Sequence, residues 1–199
     1  MNMKDVINAG ANQPQKTIIT VEFTNGRASL DLETATGETL GEALSKFISS
    51  GANLSDANLY GANLSDANLR GADLSGADLS GAENIPPLAL AQSSIVPETG
   101  AFEGFKKLRN GTIAHLLIPA DAKRSNATGR KCRSSQAKVL AIWDADGKPK
   151  ETGTSMYNST FQYRVGRTVR PDDFCEDRFQ ECASGIHFFL TRIEAENYQ

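Results

Sequence analysis

Three thiols and an imidazole, Cys132, Cys175, Cys182 and His187, are the side chains of this 199-residue sequence best suited to metal or nucleophilic chemistry. Together they make a donor set for tetrahedral zinc. Structural zinc sites, however, space their cysteines in close C-x2–4-C pairs, which this sequence lacks, so no metal is expected. Cys182 and His187 also have the makings of a thiolate–imidazole couple. Gly185 stands between them, and Cys182 falls at the end of an expected helix, where the backbone dipole disfavours a thiolate. No catalytic residue and no cofactor are assigned, and the chain is expected to be non-enzymatic. His115, inside a strand-like run, is expected to be a packed or surface ring.

A second group is basic. Residues 106–138 hold nine basic side chains and one acidic one, and Arg124, Arg130, Lys131 and Arg133 are its ligand-binding candidates. Such a stretch suits phosphates or nucleic acid. The plainer expectation is pairing with the acidic stretch 171–182, because few aromatics interleave to form a stacking surface for single strands. The imbalance runs along the whole chain: five basic and eleven acidic residues precede the break at Pro87, and sixteen and thirteen follow it. Three cysteines, with no apolar run long enough to span a bilayer and no leader, suggest a reduced cytoplasmic protein without a membrane segment.

The elements that position these groups begin with a repeat. Residues 51–83 keep a five-residue beat in which Ala and Leu recur at fixed offsets, as in Ala52-Asn53-Leu54 and Ala57-Asn58-Leu59. Five matches neither the 3.6-residue helical turn nor the two-residue pleat, so each unit must be one side of a coil. The six units resemble the pentapeptide-repeat family, consensus A(D/N)LXX. That resemblance implies a right-handed quadrilateral β-helix with four units per coil, its core formed by Leu54, Leu59, Leu64, Leu69, Leu74 and Leu79. Gly61, Gly71, Gly76 and Gly81 end their units, and Asp56 and Asp66 replace glycine there. Six units make about one and a half coils, too short to mimic a turn of duplex DNA, which needs about 34 Å, unless two chains join end to end.

A coil needs caps. Residues 17–23 and 27–32 alternate around Asn25-Gly26, the dipeptide of a tight hairpin. Thr39 and Glu42 have capping-box form ahead of a helix that carries Leu40, Leu44, Phe47 and Ile48 on one face. Prolines and serines in 86–100 indicate a linker. Strand-like runs follow at 113–118, 138–143, 161–165 and 185–189, with one helix from Pro171 that places Cys175, Phe179 and Cys182 on one face, and a last helix opened by Thr191 and Glu194. The expected architecture is mainly β plus α+β: a hairpin and capping helix in 1–50, the β-helix in 51–85, the linker in 86–100 and an α+β domain in 101–199.

The last hundred residues resemble a domain of uncharacterised function that follows pentapeptide repeats in bacterial and bacteriophage proteins. The likeness rests on Gly104-Phe105-Lys106-Lys107-Leu108, on residues 117–125, on Gly129-Arg130-Lys131-Cys132-Arg133, on Pro171-Asp172-Asp173-Phe174 and on residues 181–189. It implies phage or prophage origin and transfers no activity. Gly185-Ile186-His187-Phe188, continuing to Asn197-Tyr198, also resembles the strand and helix that frame nicotinamide in poly(ADP-ribose) polymerases. This likeness implies a ligand-framing role for His187 and Tyr198. No His-Gly-Ser/Thr segment precedes them in the expected context, and no strand after Gln199 carries a catalytic glutamate. The leading expectation is a phage-type interaction protein with a protein partner of host or phage and with self-association through the end of the coil. The alternatives are DNA mimicry against gyrase or a restriction enzyme, nucleotide or nucleic-acid binding by the basic stretch, and an NAD-binding domain.

Overall fold

The computed structural model describes residues 17–22, 29–34, 38–50 and 53–199. Strands β1 (Thr17–Val21) and β2 (Leu30–Thr34) pair antiparallel, Thr17 opposite Thr34 and Val21 opposite Leu30. Every pair is symmetric about the point between residues 25 and 26. That is the register a two-residue Asn-Gly turn imposes, although Asn25 and Gly26 lie outside the described residues. Helix α1 (Leu40–Ser49) then starts with a complete capping box, in which the Glu42 amide donates to Thr39 Oγ1 and the Thr39 amide to Glu42 Oε2.

Residues 53–83 contain no regular strand; two isolated parallel bridges, Asn58 with Asp78 and Asn63 with Glu83, are all that is ladder-like. The chain nevertheless closes on itself after about twenty residues. Backbone amides of Leu54, Asp56, Leu59, Gly61 and Leu64 donate to the carbonyls of Asp73, Ser75, Asp78, Ser80 and Glu83, one coil later. The six leucines at the unit centres are all buried, Leu54 and Leu64 completely, together with Ala57, Ala67 and Ala77. No single unit has enough apolar surface to be stable alone, so the coil exists because neighbouring units bury each other's leucines.

Each corner is made locally. The Ala57 amide donates to the Leu54 carbonyl at 3.1 Å, and the same three-residue closure recurs in every unit to Ala82 and Leu79. The residue before each of those alanines has positive φ, from 60° at Asp56 to 76° at Gly71. The Asn or Asp of each unit accepts from the amide two residues on, at 2.5 to 3.2 Å. These side chains close turns. The Ser75 amide accordingly holds the Asp73 carboxyl below its ordinary value, helped by the Ser75 hydroxyl against a small opposing effect of burial.

Both ends of the coil are covered. At one, α1 lies so close that a β-carbon on Gly41 would overlap the Ser65 carbonyl oxygen, and Ser45 Oγ accepts from the Asn68 amide at 2.6 Å. At the other, 86–100 is more than a linker: helix α2 (Pro87–Gln92) buries Ala89 in the coil's apolar cluster, with Ile85 and Leu90 packed on it.

The rest of the chain is β-rich. Strands β3 (Phe102–Lys107), β4 (Ile113–Ile118), β7 (Ala137–Trp143) and β10 (Thr168–Val169) form one antiparallel sheet in the order β10-β7-β4-β3; β5 (Arg124–Asn126), β6 (Cys132–Ser134) and β11 (Ile186–Phe188) form another, β11-β6-β5. A Phe105–Phe189 bridge ties the two, and β8 (Thr152–Thr154) pairs with β9 (Gln162–Arg164). Leu108, Leu116, Ile118, Val139, Ile142, Tyr163 and Phe188 fill the core between them. Helix α3 (Arg192–Asn197) closes the chain with a Thr191–Glu194 capping box.

The helix expected from Pro171 is absent. Residues 171–185 are irregular because tertiary partners take the carbonyls a helix would use for itself: Arg133 donates to those of Cys175, Asp177 and Ser184. Phe179 is buried in the apolar cluster of the coil, away from Cys175 and Cys182. Arg178 completes the seam between coil and C-terminal part, donating to the carbonyls of Leu90, Asn126 and Ala127. Ser80 Oγ to the Phe179 carbonyl and Thr128 Oγ1 to that of Ala77 add two further bonds.

Three substitutions at two positions separate the forces in the coil. Leu64→Ala is expected to cost about 2–5 kcal/mol of stability, from lost burial and a cavity. Gly71 has open space around its α-carbon, so Gly71→Ala should cost about 1–2 kcal/mol from the left-handed backbone alone, and Gly71→Asn clearly less. Chemical denaturation of the three variants checks the order; equal losses for Ala and Asn at position 71 would refute the role of the corner.

Candidate functional site

A cavity of about 620 Å³ opens in the C-terminal part, of the size that takes a metabolite. Strand β3 brings Lys106 and Lys107, the β11 region brings His187 and Phe189, and the residue after α3 brings Tyr198. Lys131, just before β6, and Cys182 line it as well, with Tyr157, Phe161 and Tyr163 on the side of β8 and β9.

Its polar groups are held by backbone. Lys106 Nζ donates to the His187 carbonyl at 2.9 Å, and Lys107 Nζ to the carbonyls of Glu196 and Tyr198 at 3.0 and 2.7 Å, a cation closing the end of α3. His187 Nε2 lies 3.1 Å from the Glu181 carbonyl, which makes that nitrogen the donor. Lys131 Nζ reaches Cys182 Sγ at 3.3 Å and the Glu181 carboxylate at 3.5 Å, with the Tyr198 ring 5.9 Å away. Tyr198 packs against Phe189, ring centroids 5.3 Å apart. Thus Cys182 and His187 share the cavity but turn to different partners, the thiol to Lys131 and the imidazole to a carbonyl.

Burial governs the protonation of these groups. It pushes the Lys106 ammonium down to about 8, and the neighbouring Lys131 charge adds to the effect. His187 is lowered to about 4, first by burial and then by Lys106, against which its bond to the Glu181 carbonyl counts the other way. For Lys131 burial also acts downward, but Cys182 and Glu181 outweigh it and hold the ammonium above its ordinary value. The Tyr198 phenol is raised first by burial, and the neighbouring Tyr157 phenol adds to the effect.

Residues 92–195, just over half of the chain, match a family of unknown function, DUF5758, and residues 50–83 match pentapeptide repeats. The chain belongs to the DUF5758 family. No curated protein and no solved structure matches it. The DUF5758 domain contains the whole cavity except Tyr198, which stands just past the matched residues.

Of the six ligand-binding candidates, Lys131, His187 and Tyr198 converge on this cavity, and Arg124, Arg130 and Arg133 do not. Arg124 is spent on loop carbonyls of Gly100, Pro119, Ala120 and Ala122. Arg130 pairs with Glu194 at 2.6 Å, which raises the guanidinium and lowers the carboxyl. Arg133 is 2% exposed and braces 175–184 from inside. The basic stretch is therefore not one surface: these cations satisfy carbonyls and carboxylates of their own fold, and Lys123 pairs with Glu176. His115 stacks on Phe105 at 4.6 Å and meets Glu103 at 2.8 Å, away from the cavity.

Burial drives the Cys132 thiol up to about 12. Among the described residues no group of three His, Cys, Asp or Glu side chains is arranged to hold a metal ion, and no helix is long and apolar enough to cross a membrane. Lys106, Lys107, Tyr157, Phe161 and Tyr163 were not legible as site residues. Gly104 interrupts the alternation of β3, so the strand that carries both lysines had no periodic signal.

The unfolded His187 imidazole takes up its proton near 6.5 and the folded one only near 4. The unfolded state therefore binds more protons between those values, and this residue's contribution to stability falls as pH drops through that window. NMR titration should place the His187 midpoint near 4, and His187→Phe should remove that part of the acid destabilisation. A midpoint at the ordinary value would mean that the ring is not desolvated.

Proposed function

We propose that this chain is a non-enzymatic interaction protein of phage type, in which the repeat is the scaffold and the DUF5758 domain meets a protein partner of host or viral origin. The repeat is taken as a right-handed quadrilateral β-helix, in keeping with its twenty-residue return and left-handed corners. The interaction is assigned to side surfaces, because α1 and α2 cover the two ends of the coil. The observation that carries the proposal is Tyr157. It lines the cavity and is nevertheless 74% exposed, the most exposed large apolar or aromatic residue of the DUF5758 domain. An exposed tyrosine offers a large amphipathic surface with only two side-chain torsions to order on binding, which is the character of an interface anchor.

DNA mimicry has less support. The described repeat residues stack little more than one coil, and their Asn and Asp side chains are engaged in turns. A catalytic role is not favoured either, since the thiol and imidazole of the cavity point to separate partners.

Affinity capture from the native host tests the proposal. Wild-type protein should recover a partner that Tyr157→Ala loses at least about tenfold, while thermal unfolding of the variant stays close to wild type. The same proteins recovered equally by both forms would overturn it.

A further inference from the structure

The cavity has a chemistry of its own, independent of any protein partner. Two ammonium groups, those of Lys106 and Lys131, face it from β3 and from the segment before β6. Glu181 lies beside Lys131, but among the described residues no carboxylate lies within ion-pair distance of Lys106, whose one bond is to a neutral carbonyl. A part-buried cation without a counter-charge is costly, and proximity to a second cation makes it more so.

The acidic residues at the cavity do not supply the missing charge. Asp172 and Asp173 are exposed at its edge, and the Asp173 carboxylate already accepts from the Phe174 amide at 2.7 Å and the Ser184 hydroxyl at 3.3 Å. His187 is neutral at physiological pH and donates away to Glu181. The lining also carries two aromatic pairs: Phe161 and Tyr163 pack edge to face at 5.3 Å, and Phe189 and Tyr198 lie with centroids 5.3 Å apart. Flat π-faces set beside paired cations match a ligand that is planar at one end and negative at the other.

We infer that this cavity is a binding site for a small aromatic carboxylate, with its anionic group between Lys106 and Lys131 and its ring against Tyr198 and Phe161. The anion supplies the charge that Lys106 lacks and relieves its repulsion with Lys131, while the ring displaces water from the aromatic walls. Lys107 is not a ligand in this arrangement, because its ammonium is occupied by the two carbonyls at the end of α3.

The test is calorimetry on the full chain with 2-naphthoate and 2-naphthamide, which share a ring system and differ in charge. The carboxylate should bind one to one, at least about tenfold more tightly than the amide, and Lys106→Met and Lys131→Met should each weaken it about tenfold. Arg70→Met, on the exposed face of the repeat, should leave the affinity unchanged. The inference fails if the wild-type protein binds neither probe at low-millimolar concentration, if the amide binds as well as the carboxylate, or if Lys106→Met binds undiminished. The comparison of the two probes on the wild-type chain does not depend on how the variants fold. Because no protein partner enters the measurement, loss of this site would leave the partner role of Tyr157 standing, and the reverse holds as well.

Discussion

The left-handed corner at the end of each five-residue unit is the constraint on which the rest of the molecule depends. Without it the chain could not return after about twenty residues to bond the Leu54 amide to the Asp73 carbonyl. Each corner is closed twice, by the alanine amide on the leucine carbonyl and by the Asn or Asp oxygen on the amide between them. A corner that satisfies its own backbone can be stacked without burying unpaired groups. The burial of the six leucines in one cluster follows from that return, and it ties neighbouring units together.

That coil is not an independent rod. Its apolar cluster includes Ala127 and Phe179 from the DUF5758 domain, and Arg178 binds carbonyls on both sides of the seam. A guanidinium that satisfies several buried carbonyls is well suited to such a junction, because it offers five donors in a rigid plane. Burial lowers the Arg178 pKa without making a neutral guanidinium available near physiological pH, so the seam keeps its charge. The cavity therefore sits on a scaffold built from two cores that share a boundary.

Several elements were legible because their signals are local. The six leucines, the Thr39–Glu42 and Thr191–Glu194 capping boxes and the apolar run of β4 each declare themselves within a few residues. The antiparallel pairing of β1 with β2 was legible in the same way, from the alternation of the two runs. The helix from Pro171 failed for the opposite reason. Its i, i+4, i+7 pattern is real, but Arg133, some forty residues earlier in the chain, captures the carbonyls that would have closed it. Residues 86–100 show the same limit: prolines suggested a connector, and packing on the end of the coil made part of it a helix with a buried face.

Sequence alone determined the period and the leucines that are buried, and of its six ligand-binding candidates Lys131, His187 and Tyr198 line the cavity. Tertiary structure decided which charges are free. Arg124, Arg130, Lys131 and Arg133 are near neighbours in the chain, yet only Lys131 reaches the cavity, because the others are consumed by carbonyls and a carboxylate brought to them by folding. The physical reason is range. Backbone turns and caps are settled within one unit of chain, whereas the desolvation and pairing of a cation depend on groups as distant as β3 and α3, which only the completed fold sets side by side.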